Sequence, residues 1–211
     1  MNNKNPLKAY ATHGLIGINL LFFAAQFTGG TNDLTTLYEL GLGPQAVWSG
    51  GQWWRLLSAN FLHFGWMHLF TNMLGLYFIG RFVENNLGVR RYLLAYFISG
   101  IGSMLAFSIL AIKMDATNQI LVGASAAIMG LIGVICAIYF RIWQRKRSRH
   151  AYRRLLLLMF TIGLQFAFDL AMPRVSFLSH VLGLVIGFIS GSILLKDEDF
   201  EVERRKEILS K

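Results

Sequence analysis

The chain has 211 residues, 55% of them hydrophobic, with 21 glycines, three prolines and a mean hydropathy of +0.48. That is more apolar residue than a soluble domain of this size needs, and Cys136 has no second cysteine with which to close an intramolecular disulfide. A formal net charge of +9 would suit a nucleic-acid binder, but the placement of the basic residues points to a membrane surface.

A helix that crosses a bilayer takes about 20 mainly apolar residues. Taken in chain order, such segments are expected at 11–28, 66–83, 91–112, 120–143, 155–172 and 176–195. The first resembles a signal peptide, being short and preceded by Lys4 and Lys8, but five further spans follow it. The expected fold is an all-α membrane protein of six transmembrane helices. One membrane domain occupies 11–195, between a short tail at 1–10 and a charged tail at 196–211. No internal repeat is visible.

Charge then orients the chain. With the N-terminus inside, only Arg55, Lys113 and Arg174 fall on the outer side, and the rest of the 20 Lys and Arg residues lie inside. That asymmetry puts both termini in the cytoplasm. The cluster from Arg141 to Arg154 lies where anionic headgroups would be, which makes membrane lipid the partner of the positive charge rather than nucleic acid. The first outer loop, 29–65, is long and carries Trp48, Trp53, Trp54, Phe61, Leu62 and Phe64. Its composition places it in the outer leaflet, where tryptophan is favoured.

Orientation also sets depth. His68 and Asn72 lie in the outer part of the second span, Ser125 about one turn into the fourth and His180 about one turn into the sixth. A serine hydroxyl becomes a nucleophile only beside a base, and a histidine within a bilayer is costly unless it faces protein or water. Ser125 and His180 are therefore a candidate hydrolytic dyad. His68 and Asn72, four residues apart on one helix face, are candidate donors to an oxyanion, joined by the unpaired backbone N–H of Ser125. Close approach has its own signal. Ser179, Gly183, Gly187 and Gly191 form a small-residue stripe on the sixth span, and Ala126, Gly130, Gly133 and Ala137 form one on the fourth. Gln165 and Asp169 share a face near the outer end of the fifth span, where two readings stand: contact with a substrate or gate, or, the favoured one, a pairing of Asp169 with Arg174. His13 and His150 lie at the other depth and carry no expected role.

Together these residues resemble the rhomboid family of intramembrane serine proteases. His63-Phe-Gly-Trp-Met-His68-Leu-Phe-Thr-Asn72 fits the family's His-x4-His-x3-Asn pattern, and Trp54-Arg55 its first-loop pair. Gly80-x3-Glu84-x3-Gly88 fits the pattern at the inner end of the second helix. Gly123-Ala124-Ser125 is similar to the nucleophile motif and His180-x2-Gly183-x3-Gly187 to the general-base motif. The resemblance implies Ser125 as nucleophile and His180 as general base with no third acid, and an oxyanion site of His68, Asn72 and the Ser125 N–H. It assigns His63, Arg55 and Glu84, with Gly123, Gly183 and Gly187, to structural support. It also implies a lateral gate at the fifth helix with Phe160, Phe166 and Phe168.

The chain departs from the family at Ala126, where glycine is usual after the serine, and at Met129, where an aromatic ring is expected under the histidine. The expected function is cleavage of single-pass transmembrane proteins near the outer face, without metal or cofactor, in a bacterial plasma membrane. The alternatives are an inactive relative that binds membrane clients and a transporter using His68, Asp169 and His180, for which no inverted repeat speaks.

Overall fold

The structure, a computed structural model, describes residues 9–28, 33–172 and 176–196. The expected tails at 1–10 and 196–211 lie almost wholly outside the described residues, as does Arg174. The described chain is helical, broken by one isolated antiparallel bridge between Leu42 and Leu121. In chain order it holds α1 (Tyr10–Thr28), α2 (Asp33–Leu40), α3 (Pro44–Trp48), α4 (Arg55–Ser58) and a short 3-10 turn (Ala59–Phe61). The next helix is one continuous run: α5 (Trp66–Gly75), a π turn (Leu76–Gly80) and α6 (Arg81–Leu87). Then come α7 (Val89–Lys113), α8 (Ser125–Lys146), α9 (Arg149–Ala171) and α10 (Phe177–Leu194). The four from α7 to α10 are each long and apolar enough to cross a membrane. In hydrocarbon every backbone N–H and C=O must be paired within the chain, and helices are the local way to do it.

The bundle is built around α8, most of which is buried between α7 and α10. Its packing against α10 is backbone to backbone. A Cβ on Gly183 would run into the Ala126 carbonyl, one on Gly187 into the backbone of Gly130, and one on Gly133 into the Leu184 carbonyl. Gly191 closes the row, 2.9 Å from Val134 Cα when a Cβ is built on it. The small-residue stripes therefore meet as expected. On the third side, Ser99 of α7 fills the space beside Gly130, and Ser103 Oγ donates to the Ser179 carbonyl at 2.8 Å. At the end of α10 remote from His180, guanidinium groups satisfy carbonyls that the helix leaves open: Arg91 donates to Leu194 O at 3.2 Å and Arg141 to Leu195 O at 3.1 Å.

Glu84 fastens α1 to this core. Its buried carboxylate accepts from the Ala11 N–H (3.0 Å), the Thr12 N–H (2.8 Å) and the Thr12 hydroxyl (2.7 Å). These are N-terminal donors of a 19-residue helix, where partial positive charge gathers.

Two boundaries correct the sequence reading. The fourth span was expected from residue 120 with Ser125 a turn inside, but α8 begins at Ser125 itself. The preceding residues are not helical: Leu42 and Leu121 exchange N–H···O bonds of 2.9 and 3.0 Å, and the Gly123 N–H donates to Ala59 O at 2.8 Å. Apolar composition does not separate a buried extended segment from a buried helix. α9 starts at Arg149, earlier than the expected 155, with the Ser148 hydroxyl accepting from the Ala151 N–H at 3.3 Å as its cap. The long stems of the arginines there can be carried on a helix whose apolar part begins later.

Within the loop expected at 29–65, the described residues 33–65 carry α2, α3, α4 and the 3-10 turn. The Arg55 guanidinium donates to Tyr38 O (2.6 Å) and Gly41 O (2.8 Å), so one side chain gathers α2, its exit and α4. Trp48 Nε1 donates to Ser108 Oγ of α7 at 3.1 Å. Trp48, Trp53 and Trp54 nonetheless keep about half their surface exposed (44–55%), as side chains that face lipid would.

The backbone contact of α8 and α10 makes a clear prediction. Gly187→Ala should lower stability by about 1–3 kcal/mol, because its methyl group has no space to enter. Gly163→Ala on α9, where nothing lies within 4 Å of an added Cβ, should leave it unchanged or slightly raised. Thermal unfolding in detergent measures both.

Candidate active site

The nucleophile candidate sits at a sharp entry into a helix. Gly123 has φ +121°, a conformation that favours glycine. Ala124 turns the chain, and Ser125 is the first residue of α8. The glycine has a second reason to lack a side chain. A Cβ there would lie 2.8 Å from both Cε1 and Nε2 of His68 and 3.7 Å from Ser125 Oγ. The His68 ring therefore lies over Gly123, beside the serine.

His180 lies one turn into α10, whose N-cap Ser176 accepts from the Ser179 N–H at 3.3 Å. Its Nε2 is 2.8 Å from Ser125 Oγ. The two residues that the sequence set on separate helices are thus within hydrogen-bond reach. Ala126 does not prevent it. Its backbone lies against Gly183, and the residue is buried in the crossing. Met129, one turn further along α8, is buried as well.

The other nitrogen of His180 is also engaged. Nδ1 lies 2.7 Å from Asp169 Oδ2, and the second carboxylate oxygen accepts from Gln165 Nε2 at 2.8 Å. The Asp169 side chain is fully buried (0% exposed) and that of His180 nearly so (6%). Arg174, the expected partner of Asp169, lies outside the described residues; the carboxylate itself is turned toward the imidazole, where the resemblance implies no third acid. Gln165 and Asp169 already shared a helix face in the sequence. The missing signal was which helix that face would meet.

The expected oxyanion donors are next to the serine in different degrees. His68 Nδ1 accepts from the Phe64 N–H at 3.3 Å. A neutral ring that accepts at Nδ1 carries its proton on Nε2, the nitrogen over Gly123. Asn72 is buried one turn deeper on α5, with Nδ2 donating to the His68 carbonyl at 2.7 Å and a second amide hydrogen left over. The Ser125 N–H belongs to the first turn of α8 and has no partner within the helix. His63 stands behind His68, with ring centroids 5.1 Å apart in an edge-on arrangement. Burial, and then the neighbouring His68, push the His63 pKa down to about 3, so the ring supports its neighbour without charge.

One supporting residue escaped the sequence reading. Gln26, near the end of α1, brackets the His63 backbone: Nε2 donates to His63 O and Oε1 accepts from the His63 N–H, both at 3.1 Å. Being one of two amides in an apolar helix, with Asn19, is its only trace in the sequence. Among the described residues no group of three or more His, Cys, Asp or Glu side chains gathers in a way that would hold a metal ion.

A helical membrane fold with a serine and a histidine paired at the ends of two glycine-packed helices defines a small class of proteins. The family model described as the rhomboid domain matches residues 50–197, and the chain belongs to the rhomboid family. It is an integral, multi-pass membrane protein. It is similar to rhomboid protease GluP of Bacillus subtilis (strain 168), 31% identical over 175 residues, which cover 83% of this chain and 32% of that protein. It is 37% identical over 166 residues to RHOMBOID-like protein 4 of Arabidopsis thaliana, covering 79% of this chain and 40% of the relative. Inactive RHOMBOID-like protein 8 of the same plant is 30% identical over 128 residues, covering 61% of this chain and 35% of its own length. The chain thus spans well under half the length of these relatives.

Gly123 is the residue on which both φ and ring clearance bear. Gly123→Ala should cost roughly 1–3 kcal/mol in backbone strain and displace His68 from the serine. A lowered midpoint of thermal unfolding in detergent measures that cost.

Proposed function

We propose that the protein is an intramembrane serine endopeptidase. The observation that carries this reading is the 2.8 Å contact of His180 Nε2 with Ser125 Oγ at the head of a buried helix. In the proposed reaction Ser125 Oγ attacks the carbonyl carbon of a peptide bond while its proton passes to His180 Nε2. The negative oxygen so formed is met by His68 Nε2–H, the Ser125 N–H and the spare amide hydrogen of Asn72. The intermediate collapses by breaking the C–N bond, and the proton on His180 goes to the departing amine. A water molecule then gives a proton to His180 and its hydroxide to the acyl carbon; the C–Oγ bond breaks, the proton on His180 returns to Ser125 Oγ, and the new carboxyl end is released.

The substrates of this reading are single-pass transmembrane proteins, cut near the outer face where their helix is unwound. The reaction as written uses side chains and water, with no cofactor. The topology we propose has six crossings: α1, the α5–α6 run and the four helices from α7 to α10. Both termini then lie in the cytoplasm of a bacterial cell, and the aromatic 29–65 loop lies in the outer leaflet. The contact between Ser125 and His180 with Ala126 in place favours an active enzyme over an inactive relative that binds clients.

Cleavage of a model single-span substrate in liposomes is the direct test. Wild type should cut it, with Ser125→Ala and His180→Ala each reduced by at least about 10³-fold, as when a nucleophile or its base is lost. Cleavage that survives Ser125→Ala would overturn the proposal, and so would an inert wild type that binds the substrate.

A further inference from the structure

We infer that the groove between the start of α7 and the end of α10 binds the phosphate headgroup of an anionic phospholipid. The groove is open and has a volume of about 570 Å³. Arg90, Arg91 and Lys196 line it together with Val89, Ile193 and Leu194. Small-ligand sites run from about 300 to 1,000 Å³, so a headgroup has room there. It lies at the end of the bundle remote from Ser125 and His180, and none of the arginines from Arg141 to Arg154 lines it. This site does not depend on the protease reading above.

The charge of the groove selects an anion. Three of its side chains are cationic, and among the described residues no Asp or Glu lines it. Two helices bring these charges together: Arg90 and Arg91 lie in the first turn of α7, and Lys196 follows the end of α10. Arg91 joins the two walls, with Nε donating to Leu87 O at 2.7 Å and Nη1 to Leu194 O at 3.2 Å. Its guanidinium thereby covers a carbonyl at the end of α10 that would repel an anion. Arg90 and Lys196 are exposed at the rim. A phosphate diester offers oxygens to both, in the planar fork that a guanidinium matches and to the point charge of an ammonium. The first N–H groups of α7 add partial positive charge at the same end.

The apolar part of the groove selects a lipid over a dissolved anion. Val89 is 45% exposed and Ile193 76% exposed, in the same groove as the cations. A free phosphate leaves both side chains unused, whereas a phospholipid lays acyl chain against them. α7 and α10 are each long and apolar enough to cross a membrane, and the groove lies at their ends, where headgroups sit. In the topology proposed above this is the cytoplasmic leaflet, the one rich in anionic lipid, and basic pockets between helices on that side suit such headgroups. A lipid bound there holds the end of α10, the helix that carries His180, to the start of α7.

Native mass spectrometry of the full chain in detergent tests the site, with phosphatidylglycerol as the anionic probe and phosphatidylcholine of the same acyl chains as the zwitterionic one. Wild type should bind phosphatidylglycerol at least about tenfold more tightly than phosphatidylcholine. The double variant Arg90→Gln, Lys196→Gln should lose at least about tenfold of that affinity, as two basic side chains near the surface are removed. Arg149→Gln with Arg153→Gln removes two exposed charges on α9 and should keep it within about twofold. Thermal unfolding without lipid should be alike in all three proteins. Added phosphatidylglycerol should raise the midpoint of wild type and of the α9 variant, but not of the groove variant. Equal affinity of wild type for the two lipids would overturn the inference, and so would equal losses in the two double variants. Inorganic phosphate that displaces phosphatidylglycerol at equal concentration would make this a site for a free anion and overturn it as well. Asp197, Glu198 and Asp199 follow Lys196 in the sequence. A wild type that binds no lipid until these three are changed to Asn, Gln and Asn would make the chain's own acidic segment the occupant, against the inference.

Discussion

The distance between two backbones governs this molecule. Where α8 and α10 cross, Gly130, Gly133, Gly183 and Gly187 let main chain touch main chain, with carbonyl oxygens occupying the space that side chains would take. In lipid there is little hydrophobic drive for helices to associate, so close packing of this kind supplies much of the attraction. The crossing also fixes chemistry. Ser125 heads one helix and His180 lies one turn into the other, so their 2.8 Å contact follows from how near the helix axes come. Ala126 is accommodated in the crossing, buried with its backbone against Gly183.

Around that crossing the polar side chains are assigned by geometry to separate tasks. The long first loop braces the nucleophile turn: Leu42 pairs with Leu121, Ala59 receives the Gly123 N–H, and Arg55 holds the loop's own carbonyls. His63, pinned by Gln26, backs His68, which lies over Gly123. α9 supplies the carboxylate at the far side of His180. Buried polar groups in an apolar medium are costly unless paired, and most of these pairs join separate helices or loops. The site thus doubles as a set of crosslinks.

Much of this was legible in the sequence, for physical reasons. Glycines spaced by four mark a helix face, and a serine or histidine amid apolar residues is conspicuous because it is expensive. His63, His68 and Asn72 could be read together because they are close in the chain. Asp169 was visible too, but its partner depended on which way α9 faces, and a helix with so little buried surface leaves that open. The start of α8 is hidden because residues 120–124 are as apolar as a helix, while the bridge of Leu121 to Leu42 that holds the chain out of a helix there is a contact between distant parts of the chain. Gln26 acts on a residue 37 positions away and had no local signature.

The central claim is that Ser125 is a hydroxyl activated by this crossing. Labelling with a fluorophosphonate, followed by mass spectrometry of the peptides, addresses it most directly, because the reagent bonds covalently only to an activated nucleophile. The account predicts one adduct, on Ser125, formed in wild type and in Ala126→Gly at similar rates and absent from His180→Ala. An adduct on another residue, or none on folded wild-type protein, would contradict it.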